Sequence, residues 1–125
     1  MQDALHVVVV DDEDLVRDVI AQLLIKEGHT VKQCASGAEA IAYLTSNSAD
    51  LLFTDLSMPR MNGVQLIDEL LKRNLFSKDR IVAVTGLSFE SPDVHYVTAR
   101  KIFVLFKPFD SAALRWSLET LLTEA

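Results

Sequence analysis

Short runs of branched and aliphatic residues alternate along this chain with stretches in which apolar side chains recur every three or four positions. The runs are read as strands buried on both faces and the recurring stretches as amphipathic helices. Their alternation predicts βα units around a parallel sheet. Val7 to Val10 is an unbroken β-branched run that stops at Asp11 and Asp12, and it forms the first predicted strand. Leu15, Val16, Val19, Ile20, Leu23 and Leu24 then keep helical spacing. Glu13 and Asp14 suit a helix start, and Gly28 suits a helix end. Thr30 to Cys34 predicts a second strand, followed by Ser36 as N-cap of a helix that carries Ala40, Ile41 and Leu44. Leu51 to Thr54 predicts a third strand ending at Asp55. Turn residues Pro59 and Asn62-Gly63 follow, and then a helix with Val64, Ile67, Leu70 and Leu71 on one face. Ile81 to Val84 predicts a fourth strand ending at Thr85. The stretch from Leu87 to Arg100 has a weaker apolar stripe but offers Pro92 for a first helical turn. Ile102 to Phe106 predicts a fifth strand ending at Lys107-Pro108, and Leu114, Leu118, Leu121 and Leu122 mark a last helix capped by Asp110.

At 125 residues the chain has the size of one domain, so residues 1–125 are expected to form a single folded unit. Half of its residues are apolar and Gly and Pro are few, which favours a packed core over disorder. A net charge of −6 opposes attraction to phosphate backbones and excludes nucleic acid as an expected partner. The single cysteine, Cys34, cannot close an internal disulfide and is expected to be a buried strand residue without redox duty. No apolar stretch reaches the length of about 18 residues that a membrane span needs, or follows a charged segment as in a signal peptide; the cytoplasm is the expected location. His6, His29 and His95 lack metal-like spacing and are expected at the surface. Trp116 falls off the stripe of the last helix, either as an interface anchor or lying over neighbouring stems.

Asp11-Asp12, Asp55, Thr85 and Lys107 each stand where a predicted strand stops. In an open α/β sheet the carboxyl ends of the strands border the ligand crevice, so these residues are expected to converge there. Three carboxylates, a hydroxyl and an ammonium suit a hard divalent cation together with a phosphoryl group.

The segments VVVVDD with Asp11-Asp12, TDLSMPRMNG around Asp55, VAVTG with Thr85 and FKPF with Lys107-Pro108 resemble the receiver domains of two-component response regulators of the chemotaxis-regulator type. The matches are in order and span essentially the whole chain. The resemblance implies a flavodoxin-like, doubly wound five-stranded parallel sheet in the order 2-1-3-4-5 with five helices. It implies Asp55 as phosphoacceptor and the backbone carbonyl of Ser57 among the ligands of a metal. It further implies a histidine kinase or histidine phosphotransfer protein as donor and a downstream protein as target. The face of the fourth helix, fifth strand and fifth helix is then the output surface, which also admits a homodimer. Three departures stand out. Val104 occupies the position of the family's switch aromatic, Arg100-Lys101 replaces a frequent Gly-Ala, and Gly86 replaces a common alanine.

The chemistry fits these residue types. Asp55 can attack phosphorus to make an acyl phosphate, with Mg2+ relieving the repulsion between two anions. Asp12 and Asp55 are the expected direct ligands of Mg2+, with Asp11 acting partly through water. Lys107 is expected to pair with one phosphoryl oxygen and Thr85 to donate to another. Taken singly, each residue also has an ordinary structural reading: Asp11 and Asp12 as helix caps, Asp55 as a turn former, Thr85 as a strand-end hydroxyl and Lys107 as a solvated side chain. Their joint occurrence carries the assignment.

The leading expectation is a stand-alone receiver that catalyses its own phosphorylation and dephosphorylation and signals by protein contact, no output domain following Ala125. The alternatives are a receiver-like adaptor without regulated phosphorylation, kept open by Val104, and an aspartyl-phosphate hydrolase. Against the hydrolase, Ser57 stands where haloacid-dehalogenase-like hydrolases carry a second aspartate. A nucleotide-binding module is disfavoured, because neither glycine-rich phosphate-binding motif occurs.

Overall fold

The computed structural model describes residues 4–124; Ala125 lies outside the described residues. The chain runs β1 (His6–Val10), α1 (Asp14–Lys26), β2 (Thr30–Cys34), α2 (Gly37–Ser46), β3 (Leu51–Asp55), α3 (Gly63–Lys72), β4 (Ile81–Thr85), α4 (Pro92–Ala99), β5 (Phe103–Phe106) and α5 (Ser111–Glu124). A single 3-10 turn, Lys78–Arg80, precedes β4. All strand pairs are parallel and the sheet order is β2-β1-β3-β4-β5, as the sequence led us to expect.

Alternation along the strands divides the core into two layers. Val8, Val10, Leu52 and Ala83 face Ala40, Leu44, Leu66, Ile67, Leu70, Val94 and Val97 of α2, α3 and α4. Val7, Val9, Leu51, Phe53, Val82, Val84 and Leu105 face Ile20 and Leu24 of α1 and Leu114, Leu118 and Leu121 of α5. Both faces of the central strands are thus covered, which is why their sequences are apolar throughout rather than alternating. Side chains fix the starts of α2, α3 and α5. Ser36 accepts from the Glu39 amide, Asn62 and Gln65 form a reciprocal capping box, and Asp110 accepts from the Ala113 amide at 2.8 Å. Pro92 occupies the first turn of α4.

Three details depart from the sequence reading. Strand β5 begins at Phe103 rather than Ile102. The Ile102 amide donates to Val97 O at 3.0 Å, closing the end of α4, and Lys101 before it takes the left-handed conformation with φ 62°. His29 is buried rather than on the surface. Its Nδ1 accepts from the Leu5 amide at 3.0 Å, while Nε2 has no partner among the described residues. In α1 the apolar stripe is wider than the buried face. Ile20, Ala21 and Leu24 are buried, whereas Leu15 is 83% and Val19 58% exposed. Cys34 is buried as expected, and burial raises its thiol pKa.

Candidate functional site

The parallel register brings the strand ends to one edge. Val10 pairs with Thr54, and Asp55 with Val84, so the segments after β1 and β3 leave the sheet side by side and β4 ends next to them. The chain stays hydrogen-bonded as it leaves. The Asp11 amide donates to Cys34 O at 3.2 Å, the Leu56 amide to Val84 O at 3.2 Å and the Lys107 amide to Thr85 O at 2.7 Å.

Asp11, Asp12 and Asp55 each offer a carboxylate oxygen, and these oxygens lie within 4.8 Å of one another. Asp11 is 1% exposed and Asp55 5%, whereas Asp12 is exposed at the rim. One oxygen of each buried carboxylate is held by a turn amide: Asp11 Oδ1 accepts from Glu13 at 2.9 Å and Asp55 Oδ1 from Ser57 at 3.3 Å. The other oxygen of each faces Lys107, whose Nζ stands 3.5 Å from Asp11 Oδ2 and 3.5 Å from Asp55 Oδ2. Burial raises the Asp55 pKa. The Lys107 charge opposes the rise, the Asp11 charge adds to it, and the Ser57 amide opposes it. Asp55 is therefore a desolvated carboxylate whose charge is only partly compensated.

Thr85 is the buried last residue of β4, and its hydroxyl oxygen accepts from the Leu87 amide at 2.9 Å. Ser57 is exposed and contributes its amide to Asp55. Val104 lies two residues before the end of β5, half-buried against the α2–α3–α4 layer and paired with Ala83. The Lys107–Pro108 peptide is cis.

Two supporting residues escaped the sequence reading. Arg17 on α1 donates to Asp11 O at 2.9 Å, to Asp14 Oδ1 at 2.8 Å and to Gln33 Oε1 at 3.1 Å, so it ties the acidic loop to α1 and β2. The available signal was a cation in the first turn of the predicted helix, five residues beyond the acidic pair. Gly63, read only as a turn residue, packs its α-carbon against the chain after β3. A Cβ there would overlap Asp55 O and lie 2.7 Å from Leu56 Cα, and the Gly63 amide donates to Leu56 O at 3.0 Å. Beside Lys107, the α1 stripe borders an apolar groove: Leu15, Val16, Val19 and Ile20 line it with Pro108 and Phe109.

Desolvated carboxylates beside an ammonium can hold a hard cation and can present one oxygen to an electrophilic phosphorus. Known proteins point the same way. A profile described as the response regulator receiver domain matches residues 7–119. Response regulator SaeR of Staphylococcus aureus is 30% identical over 118 residues, covering 94% of this chain and 50% of that protein. The chain spans half or less of the length of the curated relatives it matches first. Among solved structures, chemotaxis protein CheY4 of Vibrio cholerae superposes with a TM-score of 0.83 at 25% identity, covering 95% of this chain and 99% of that one. Response regulator TrrA of Thermotoga maritima, solved in complex with Mg(2+)-BeF, gives 0.77 at 25% identity, covering 93% of this chain and 97% of that one. The profile match and the shared architecture together establish that the chain belongs to the response regulator receiver domain family.

Proposed function

We propose that this chain, as one receiver unit, accepts a phosphoryl group on Asp55 from a histidine kinase or histidine phosphotransfer protein and signals through altered protein contacts. The observation that carries this is the Asp55 carboxylate, buried among Asp11, Asp12 and Lys107 with one oxygen held by Ser57 and the other facing Lys107. The other oxygen, Oδ2, forms the new bond to phosphorus. The phosphorus–nitrogen bond of the donor breaks, and its electron pair leaves with the imidazole, which takes up a proton. Lys107 then exchanges part of its contact with the carboxylates for a phosphoryl oxygen, and the Thr85 hydroxyl donates to another. Attack of water on phosphorus later restores the carboxylate and releases phosphate.

A divalent cation fits the residues present. Asp11 Oδ2 is buried and accepts no hydrogen bond, and the Lys107 ammonium 3.5 Å away is shared with Asp55, so a divalent cation would complete its compensation. Asp12, Asp55 and the Ser57 carbonyl would hold Mg2+, with Asp11 acting partly through water. When bound, Mg2+ supplies charge neutralisation between the attacking carboxylate and the phosphoryl oxygens. The Mg(2+)-BeF complex of the Thermotoga maritima relative supports this reading.

The apolar groove beside Lys107 suits a protein donor better than a small phosphate ester, because Leu15 and Val19 offer exposed surface to a partner helix next to the acceptor. Output through α4, β5 and α5, including a homodimer, is supported by the exposed Phe89 and by Trp116, whose ring meets Phe103 at 5.3 Å yet is 60% exposed. Val104 favours a second reading, an adaptor that works without phosphorylation. Incubation with acetyl phosphate and Mg2+ separates the two: label on wild type and none on Asp55→Asn supports the phosphoacceptor, and an unlabelled wild type supports the adaptor.

A further inference from the structure

Position 104 lacks an aromatic side chain, yet an aromatic ring does stand beside Thr85. Across β4 and β5, Thr85 pairs with Phe106 just as Ala83 pairs with Val104. Paired residues of neighbouring parallel strands share a face, and residues two apart along one strand share it too. Phe106 therefore sits next to the Thr85 side chain on the face that Val104 also occupies, packed against the α2–α3–α4 layer. Its ring meets that of Phe89, in the loop between β4 and α4, with centroids 4.6 Å apart and planes inclined by 48°. Phe89 is 71% exposed, so the pair is formed at the surface.

Thr85 is tied to both rings through the backbone. Its hydroxyl oxygen accepts from Leu87, two residues before Phe89, and its carbonyl accepts from Lys107, the residue after Phe106. Between Thr85 and Leu87, Gly86 leaves space in which even an added Cβ would meet nothing within 4 Å. The segment can move without a clash at that point.

We propose that the Phe89–Phe106 pair stands in for the missing aromatic at position 104 and carries the movement of Thr85 to the surface beside α4. The proposal rests on the phosphoacceptor reading of Asp55. A Thr85 hydroxyl that turns toward a phosphoryl oxygen withdraws the acceptor from the Leu87 amide. Residues 86–89 then settle in a new position, and Phe89 changes its seat on Phe106. Loading of Asp55 and the state of the pair are coupled through their shared link, the Thr85–Leu87 hydrogen bond.

The test is fluorine NMR on protein carrying fluorophenylalanine at its six phenylalanines, with Phe89 and Phe106 assigned from Phe89→Leu and Phe106→Leu. Beryllofluoride with Mg2+ is the probe, and the fluorine signal of bound beryllofluoride reports occupancy directly. The expected result is that both ring signals shift in step with occupancy in wild type. In Thr85→Val neither shifts although the probe binds, and in Phe89→Leu the Phe106 response is lost although the probe binds. Full occupancy with both ring signals unmoved overturns the relay and leaves the phosphoacceptor reading intact. Ring shifts that persist in Thr85→Val also overturn it. Absence of bound beryllofluoride in wild type removes the phosphoacceptor reading and the relay with it.

Discussion

The Lys107 ammonium stands at one distance, 3.5 Å, from Asp55 Oδ2 and from Asp11 Oδ2. It is shared between the proposed nucleophile and a second buried carboxylate of the proposed metal site rather than committed to either, and this makes two effects of its removal opposite in sign. In Lys107→Ala the pocket gains negative charge, so Mg2+ is expected to bind at least as tightly as in wild type. The same variant loses a donor to the phosphoryl oxygens, and removal of one such donor slows a reaction by about 10²–10³-fold. Calorimetric titration with Mg2+ and the rate of labelling by acetyl phosphate measure the two separately. A variant that loses both together would show Lys107 acting through the fold of the pocket instead.

Asp55 also gives the protein a pH signature. Burial raises its pKa, so the folded chain holds that proton more tightly than the unfolded chain does. The contribution to stability is present in full below the unfolded pKa and is lost as pH rises through the folded one. At neutral pH, Asp55 is therefore a cost to the fold. Asp55→Asn keeps the shape without the charge and is expected to be more stable than wild type at neutral pH, with the difference shrinking toward about pH 4. Urea midpoints at the two pH values decide this, and an Asn variant weaker than wild type at neutral pH would contradict it.

Arg17 predicts a loss of metal affinity from a residue that would not touch the metal. Its guanidinium fixes the Asp11 carbonyl and also reaches Asp14 and Gln33. Outer partners of this kind change metal affinity by about 10–100-fold when removed. Arg17→Ala is expected to weaken Mg2+ binding by at least about tenfold and to lose about 1–3 kcal/mol of stability, since hydrogen bonds to charged groups are broken. Arg17→Lys, with one donor group in place of a fork, should restore part of the stability but little of the affinity. Mg2+ titration and urea melting of the two variants check the split.

The strands and helices were legible because burial on both faces of the central strands leaves unbroken apolar runs such as Val7–Val10, and because each run ends at a residue with its own chemistry. Convergence of Asp11, Asp12, Asp55 and Lys107 followed from the parallel order. The contacts made by single atoms were not legible. Periodicity placed Leu15 and Val19 on the buried stripe of α1, but they are exposed and line the open groove beside Lys107. His29 looked like a surface residue because its partner is the Leu5 backbone amide, which no side-chain pattern reveals. Arg17 was hidden for the same reason, since it holds the carbonyl of Asp11 and not its carboxylate.

Gly63 gives the sharpest test of how the pocket is supported. Only hydrogen on its α-carbon allows the start of α3 to lie against the chain leaving β3. A methyl group there would overlap Asp55 O and stand 2.7 Å from Leu56 Cα, both backbone atoms that cannot turn aside. Relief requires α3 and the residues after Asp55 to separate, which strains the Gly63–Leu56 hydrogen bond and tilts the Asp55 carboxylate away from Lys107. Gly63→Ala is therefore expected to cost about 1–3 kcal/mol of stability, as overpacking does. It is also expected to slow phosphorylation more than Gly37→Ala, where the added methyl meets the flexible Met61 side chain. Urea melting and acetyl phosphate labelling of the two variants make the comparison. Equal losses in both would mean that the close approach at Gly63 does not position Asp55.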